Sequence, residues 1–231
     1  MKPRTDRLLQ NILEGRDIEL NRPITATTLF ETELDLEVLG KFDHADPLGI
    51  SPGFNHRGHL VALAIADSKE CQLVEFQHNR PKPGQATNQV SPEIVECRKL
   101  LQDKVFCREA GDLLAFDLGP LAMSLHKNLG IRVYNGIDIQ STFSAVDRKP
   151  ISAIESALGD SLKIHQDNAR NLFTQNIIYK GDAQSKIDLA MRAWISQFLA
   201  SFGNGIMLFE KARRINTRDL TDEVSVISAR P

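Results

Sequence analysis

A short apolar run, DLLAFDL at 112–118, restricts the architecture of this chain more than any other segment. Because Gly111 and Gly119 bound it, it is too short for a buried helix and predicts a buried strand. The helical pattern LAMSLHKN follows and ends at Gly130, and IRVYNGIDIQ then predicts another strand. This strand–helix–strand order favours an α/β fold.

The region before that run predicts a group of strands. PLGISPGF, HLVALAIADS and CQLVEFQ are rich in apolar residues, and turn residues at 67–69 separate the last two segments. We expect residues 48–77 to form three adjacent antiparallel strands, with DLLAFDL pairing in parallel with the first of them. This order is that of the ribonuclease-H-like fold, a mixed five-stranded sheet with helices on both faces, but many doubly wound folds share part of it, so the pattern alone supports only the α/β class.

Helical periodicity predicts the remaining elements. Helices are expected at EIVECRKLLQD, at KPISAIESALG and from 183 to about 209, where an apolar stripe should bury Trp194 and Phe198 against the sheet. A short leading helix is predicted from four apolar residues on one face, Leu8, Leu9, Ile12 and Leu13. The expected organisation is an N-terminal helix and arm at 1–37, a main domain at 38–209, and a basic helix end with a polar tail at 210–231.

Composition limits the classes of partner. With 28 Lys and Arg against 30 Asp and Glu, the net charge of −2 means that any nucleic-acid site must be a local patch. Cys71, Cys97 and Cys107 have no CxxC spacing, which argues against a disulfide framework or a zinc cluster and favours a reducing compartment. The sequence also lacks the apolar runs of a membrane span or signal peptide, so we expect a cytoplasmic or nuclear protein with no membrane partner.

The segment LLAFDLGPLAMSLHKNLGIRVYNGIDIQS resembles the second motif of the ribonuclease-D-like 3′–5′ exonucleases, especially their Egalitarian-type branch. The residues that match the end of that motif in register are Gly130, Ile131, Asn135, Asp138 and Gln140. LGISPGFNHRGHLVALAIADSKECQLVEF is similar to the first motif region of the family, and KPISAIESALGDSLK to its linking helix. The resemblance covers about 48–202.

The resemblance implies a chemistry in which four carboxylates hold two metal ions, one activating water and the other stabilising the leaving oxygen. The matching positions are Ser51 and Gly53 in the first motif, Met123 in the second (Leu121 under a shorter spacing), and Leu189 and Ala193 in the third. All of these residues are non-acidic. The resemblance therefore implies a pseudoenzyme without a cofactor, an exonuclease-like domain that serves as an RNA-associated adaptor for RNA or protein partners.

Two aspartates near the second motif carry alternative interpretations. Asp117 ends a buried strand, where open sheets often hold active-site acids, but its place just before LGPLAMSL favours a helix cap. Asp138 is interpreted in the same way as a cap. The rival hypothesis is an active exonuclease that uses Mg²⁺ or Mn²⁺ and takes its carboxylates from Asp43 or Asp46, Asp112 or Asp117, and Asp182 or Asp188.

The remaining candidates concern metal and phosphate contacts. Asp43, His44, Asp46, His56 and His59 could form an unconventional metal site, although a solvated loop is favoured because no HxH or HExxH spacing occurs. The candidate phosphate-binding residues are Arg57, Arg80, Lys82, Lys211, Arg213, Arg214 and Arg218. Aromatic residues do not interleave with these charges, so no stacking platform is predicted. A third hypothesis is a protein-interaction or dimerisation module, including a homodimer, without nucleic-acid contact.

Overall fold

One large mixed sheet forms the centre of the computed structural model, which describes residues 4–14, 23–42, 46–77, 90–143, 149–160, 162–174, 178–202 and 205–218. The strands are β1 (Arg4–Leu8), β2 (Leu13–Glu14), β3 (Ile24–Phe30), β4 (Leu48–Phe54), β5 (Leu60–Ala66), β6 (Glu70–Glu75), β7 (Leu113–Ala115), β8 (Gly136–Asp138), β9 (Lys163–Ile164) and β10 (Arg214–Ile215). The helices are α1 (Leu36–Leu39), α2 (Pro92–Leu101), α3 (Leu118–Leu129), α4 (Ile139–Thr142), α5 (Pro150–Leu158), α6 (Gln166–Thr174), α7 (Ala183–Ser201) and α8 (Gly205–Glu210). A 3₁₀ turn at Glu31–Glu33 and a π turn at Gln102–Phe106 complete the described elements.

The strand order of the sheet is β1-β3-β6-β5-β4-β7-β8-β10. β4, β5 and β6 are antiparallel neighbours, and β7 pairs in parallel with β4, with Leu48 opposite Leu113. Both expectations for this region are confirmed, and so is the α/β class. The predicted number of five strands is wrong for the described residues, because β1 and β3 extend one edge of the sheet and β10 extends the other.

Two buried clusters cover the two faces of the sheet. Alternation along β4 directs Leu48 and Ile50 to the face that carries α2 and α3, and Gly49 and Ser51 to the face that carries α7. The helices predicted at EIVECRKLLQD and KPISAIESALG are confirmed as α2 and α5. No helix in the described part of the chain is long and apolar enough to span a membrane.

The predicted leading helix is wrong. The chain forms the strand β1 there instead of a helix, and β1 pairs antiparallel with β3. The Gln10 side chain turns the backbone after β1, because its Oε1 accepts hydrogen bonds from the N–H groups of Ile12 and Leu13 at 3.0 and 2.8 Å. Leu9 is exposed whereas Ile12 and Leu13 are buried, so the apolar spacing that suggested a helix does not form one continuous face.

Helix α7 lies directly against the sheet, and Gly49 allows this close contact. A Cβ at Gly49 would be 1.9 Å from the Ala193 carbonyl oxygen, so a side chain there would displace the helix. Trp194 is buried as predicted, but Phe198 is only half-buried. The helix expected to reach about 209 is interrupted after α7, and α8 begins at Gly205, which packs tightly on the Leu199 carbonyl.

The strand predicted at IRVYNGIDIQ is confined to β8. Asn135, just before it, has a left-handed backbone with φ of 59°, which no regular strand contains. The segment before Asn135 is held by other bonds, since the Tyr134 N–H donates to the Phe106 carbonyl at 2.8 Å. The turn at 134–135 therefore shortens the strand, and β8 lies in the sheet beside β7.

Candidate functional site

A small cavity of about 50 Å³ lies where β4 and β7 approach α6 and α7. The described residues that line it are Ile50, Ser51, Pro52, Phe116, Asp117, Pro150, Phe173 and Arg192. We refer to this cavity as the cleft. The rings of Phe116 and Phe173 are in contact, with centroids 4.6 Å apart. Three side chains therefore supply most of the polar chemistry, in a largely apolar setting: Ser51, Asp117 and Arg192.

Asp117 is the second residue after β7 and immediately precedes α3. Its backbone is left-handed, with φ of 53°, and its N–H donates to the Gln140 Oε1 at 3.0 Å. Within the described residues, its carboxylate accepts no capping hydrogen bond from α3. Asp117 therefore stands at the predicted N-cap position of α3, where its carbonyl accepts from the Leu121 N–H at 3.2 Å, but its carboxylate does not cap the helix and lines the cleft.

Asp138 behaves differently from Asp117. It caps α4, because its Oδ1 accepts from the Gln140 N–H at 3.1 Å and its Oδ2 accepts from the Ser141 hydroxyl at 2.9 Å. The predicted capping role of Asp138 is confirmed. Burial raises the pKa of Asp117, and the nearby Asp138 carboxylate raises that pKa further.

Replacing Asp117 by asparagine should increase the free energy of unfolding at neutral pH. The folded protein raises the pKa of Asp117, so ionisation of this group costs stability above that raised pKa and nothing below the unfolded value of 3.8. Asparagine also tolerates the left-handed backbone. Urea unfolding at several pH values should show that the gain is full at pH 7 and declines as the pH falls through the raised pKa. A loss of stability at pH 7 would contradict this account.

Arg192 brings a buried cation to the same cleft. Its Nε and Nη2 both donate to the Leu172 carbonyl of α6, the first at 2.7 Å. Burial lowers the pKa of Arg192 to about 10, while the Asp188 carboxylate acts in the opposite direction. The guanidinium is thus still protonated at neutral pH.

The third motif was matched to Leu189 and Ala193, and both residues are buried in the core on α7. Arg192, one position before Ala193, lines the cleft instead. A shift of one residue turns a side chain by about 100° around an α-helix, which is why the sequence match missed it. The signal that could have found Arg192 is a lone charge inside an otherwise apolar helical segment.

Tyr179 covers the position of Gly53. A Cβ on Gly53 would be 2.9 Å from the Tyr179 Cβ, and the Tyr179 N–H donates to the Phe54 carbonyl at 2.7 Å. The Tyr179 hydroxyl donates to the Glu75 carboxylate, which also pairs with the Lys186 Nζ at 3.0 Å. Burial, followed by the hydrogen bond to Glu75, raises the pKa of Tyr179. This end of β4 is therefore occupied by protein side chains.

Comparison with solved structures identifies the architecture. RNase D of Escherichia coli, an exoribonuclease involved in structured RNA processing, matches 79% of this chain with a TM-score of 0.51 and 9% sequence identity. The chain has a ribonuclease-D-like exonuclease fold. It spans only 45% of the length of the E. coli enzyme. The ribonuclease-H-like class predicted from the sequence is thereby confirmed.

Other structures of this kind match with lower TM-scores. NrnC of Brucella melitensis has a TM-score of 0.47 and 13% identity over 76% of this chain and 78% of its own. The Nibbler EXO domain of Aedes aegypti has a TM-score of 0.45 and 12% identity over 74% of this chain and 88% of its own. No protein-family model and no curated protein sequence matches the chain.

Within this exonuclease-like fold, the motif-matched residues do not all converge. Ser51 lies in the cleft with Asp117, whereas Met123 is exposed on α3 and Leu121 is buried in the core. The alternative acids have other roles in the structure. Asp112 pairs with Arg214 at 2.5 Å, Asp182 accepts from the Ser185 N–H at 2.8 Å, and Asp188 accepts from the Gln184 amide at 2.8 Å.

Only part of the predicted cluster of histidines and aspartates lies within the described residues. Asp43 and His44 lie outside the described residues, and His56 and His59 are exposed around the turn between β4 and β5. Among the residues that the structure describes, no three His, Cys, Asp or Glu side chains come together as a metal-binding group. Neither Asp46 nor Asp117 belongs to such a group among these residues.

The basic candidates fall into different places. Arg80 and Lys82 lie outside the described residues, and Arg57 is exposed on the turn after β4. Arg214 is paired with Asp112. Lys211 and Arg213 are exposed between α8 and β10.

Arg218 takes part in a local group at the β10 edge of the sheet. Its guanidinium lies 5.7 Å from the centre of the Tyr134 ring, and its carbonyl accepts from the Arg132 Nη1 at 2.7 Å. We call the set formed by Arg132, Lys211, Arg213, Arg218 and Tyr134 the basic edge. Tyr134 is exposed, so this edge offers both positive charge and an accessible ring.

Proposed function

We propose that this chain is a catalytically inactive exonuclease-like domain that acts as an RNA-associated adaptor. The proposal rests on the composition of the cleft. The described residues that line it include one carboxylate, Asp117, one hydroxyl, Ser51, and one guanidinium, Arg192. A two-metal hydrolase instead needs several carboxylates that converge on its metal ions.

These residues do not fit a pair of divalent metal ions. Mg²⁺ prefers oxygen ligands in octahedral geometry, and among the described residues that line the cleft only Asp117 offers an anionic oxygen. Arg192, on the same lining, adds a positive charge that would repel a divalent ion. Two metal ions would bring four positive charges to a lining whose described side chains supply one carboxylate and one guanidinium.

The alternative, an active exonuclease with displaced carboxylates, is disfavoured by the contacts that these carboxylates make. Asp112, Asp182 and Asp188 each have a partner elsewhere, and none belongs to the described lining of the cleft. Drawing any of them into the cleft would break an ion pair, a helix cap or a hydrogen bond. These interactions favour the hypothesis of a catalytically inactive domain.

The size of the cleft supports the same reading. Its volume of about 50 Å³ is well below the roughly 300–1,000 Å³ of typical small-molecule sites. Phe116 and Phe173 line it, and Tyr179 covers the neighbouring Gly53.

The basic edge is the surface that we propose for RNA contact. Lys211, Arg213 and Arg218 supply charge that the overall composition does not, and Tyr134 is exposed beside Arg218. Phosphate contacts of this kind bind many sequences, as an adaptor requires.

RNA binding should depend on the basic edge. The double variant Lys211→Gln/Arg213→Gln should weaken binding of a labelled single-stranded RNA roughly tenfold at low salt and lower the slope of log affinity against log salt by about 1.4. Fluorescence anisotropy over a salt series measures both quantities. The control Lys41→Gln/Lys163→Gln removes the same charge from exposed positions elsewhere and should leave both values unchanged. Equal weakening by the two double variants would contradict a specific basic edge.

One observation favours the protein-interaction module as a second candidate. Three consecutive apolar residues of α8, Ile206, Met207 and Leu208, are 58%, 63% and 38% exposed. A run of exposed apolar side chains is typical of a surface that a protein covers. A dimer in sedimentation experiments that Met207→Glu dissociates, together with no RNA binding by the wild type, would favour this candidate over the adaptor.

A further inference from the structure

We propose that the C-terminal half of α7 forms a second binding site, for a planar aromatic ligand that carries a negative charge, of the nucleoside monophosphate class. The site is a cavity of about 290 Å³, near the lower limit for small-molecule sites. We call it the aromatic cavity. Its lining includes Trp194 and Phe198 from α7, Phe202 directly after that helix, and Lys69 from the turn between β5 and β6. The inference goes beyond the proposed function and uses none of the residues of the cleft.

Three stacked rings form one wall of the aromatic cavity. Trp194 and Phe198 have centroids 5.1 Å apart and planes inclined by 26°, and Phe198 and Phe202 have centroids 5.0 Å apart and planes inclined by 18°. Phe198 and Phe202 are only half-buried, although aromatic side chains of a core are usually well covered. Phe202 ends this stack, so the face of its ring that is turned away from Phe198 is the one on which a heteroaromatic base can stack.

Polar groups around these rings match the rest of a nucleotide. Gln197, which is 2% exposed, lines the cavity, and its amide donates to the Ser201 hydroxyl at 3.1 Å. Ser201 is exposed, so its hydroxyl can hydrogen-bond the edge of a base. Lys69 supplies a cation, and its backbone is fixed because its N–H donates to the Asp67 carboxylate at 2.7 Å.

The positive charge of Lys69 in the aromatic cavity favours an anionic ligand. The described residues that line the aromatic cavity include Lys69 but no carboxylate, so the cation is not neutralised inside it. A phosphate beside Lys69 and a base against the rings would satisfy both features at once. The nucleotide could be free or belong to an RNA strand, because both sources present the same chemistry.

The sequence supplies an internal probe for this site. Trp194 is the single tryptophan of the chain and lines the cavity. Titration of the full chain with AMP, adenosine and a short oligoadenylate should change its fluorescence, with AMP binding more tightly than adenosine. Binding of AMP alone would identify a free nucleotide as the source, and tighter binding of the oligoadenylate would identify an RNA strand.

Two variants separate the ring wall from the cation. Phe202→Leu should weaken the binding of AMP and of adenosine by about fivefold or more, since loss of a stacking ring costs at least 1 kcal/mol per base. Lys69→Gln should weaken AMP binding roughly threefold to tenfold and leave adenosine unaffected. Lys41→Gln, an exposed control, should change neither. Thermal unfolding of each variant checks that it is folded.

Two results would overturn the inference. One is an unchanged Trp194 emission with up to roughly 10 mM AMP, a concentration that would detect even weak binding. The other is a fluorescence response that Phe202→Leu and Lys69→Gln leave intact, because the ligand would then bind elsewhere.

Discussion

Replacing Arg98 by alanine should remove about 3–5 kcal/mol from the free energy of unfolding, because it leaves a buried carboxylate without its cation. Glu31 is completely buried. Its two carboxylate oxygens accept from the Arg98 Nε at 2.8 Å and from the Arg98 Nη2 at 3.2 Å, and Oε1 also accepts from the Gln77 N–H at 2.8 Å. The pair ties α2 to the 3₁₀ turn at Glu31–Glu33.

An exposed ion pair provides the matched control. Arg4 and Asp6 lie 3.3 Å apart with side chains that are 73% and 41% exposed, so Arg4→Ala should cost no more than about 1 kcal/mol. The double variant Glu31→Gln/Arg98→Met should recover part of the loss, since it removes both buried charges together. Urea unfolding measures all three proteins. Equal costs for Arg98→Ala and Arg4→Ala would show that the buried pair does not stabilise the fold.

Replacing Trp194 by alanine should cost a similar amount, about 3–5 kcal/mol, because it opens a large void in a packed core. Trp194 is 6% exposed and belongs to the cluster between α7 and the sheet. The close approach of α7 to Gly49 limits how far the helix can move to fill the space.

Ile187 is the control for Trp194 on the same helix. It lies in the first half of α7 and is 36% exposed, so Ile187→Ala should cost less than about 1 kcal/mol. Both variants place alanine in a helix, and the comparison therefore isolates burial from helix propensity. A cost below 1 kcal/mol for Trp194→Ala as well would mean that this face of α7 is not a packed core.

Local sequence was sufficient to predict the middle of the sheet. β5 and β6 are apolar runs joined by a short polar turn, and Asp67 fixes that turn by accepting from the N–H groups of Lys69 and Glu70. β7 was predicted because flanking glycines limit its length. In both cases the chain carries its own boundaries, so no distant contact was needed to find the strand.

The N-terminal strands and the polar end of the cleft depended on distant contacts. β1 is a strand because β3 pairs with it, and the spacing of Leu8, Leu9, Ile12 and Leu13 is equally compatible with a helix. Arg192 lines the cleft because of the rotation of α7 on the sheet, which Gly49 allows. Periodicity indicates that α7 has a buried face, but it does not fix the rotation to one residue.

We propose that the cleft of Ser51, Asp117 and Arg192 does not support metal-dependent cleavage of RNA. Calorimetric titration with Mn²⁺, followed by incubation with a 5′-labelled single-stranded RNA, tests it most directly. We expect no micromolar metal binding and an RNA of unchanged length, for the wild type and for Asp117→Asn alike. Micromolar Mn²⁺ binding with stepwise shortening from the 3′ end, abolished by Asp117→Asn, would contradict the claim and establish an active exonuclease.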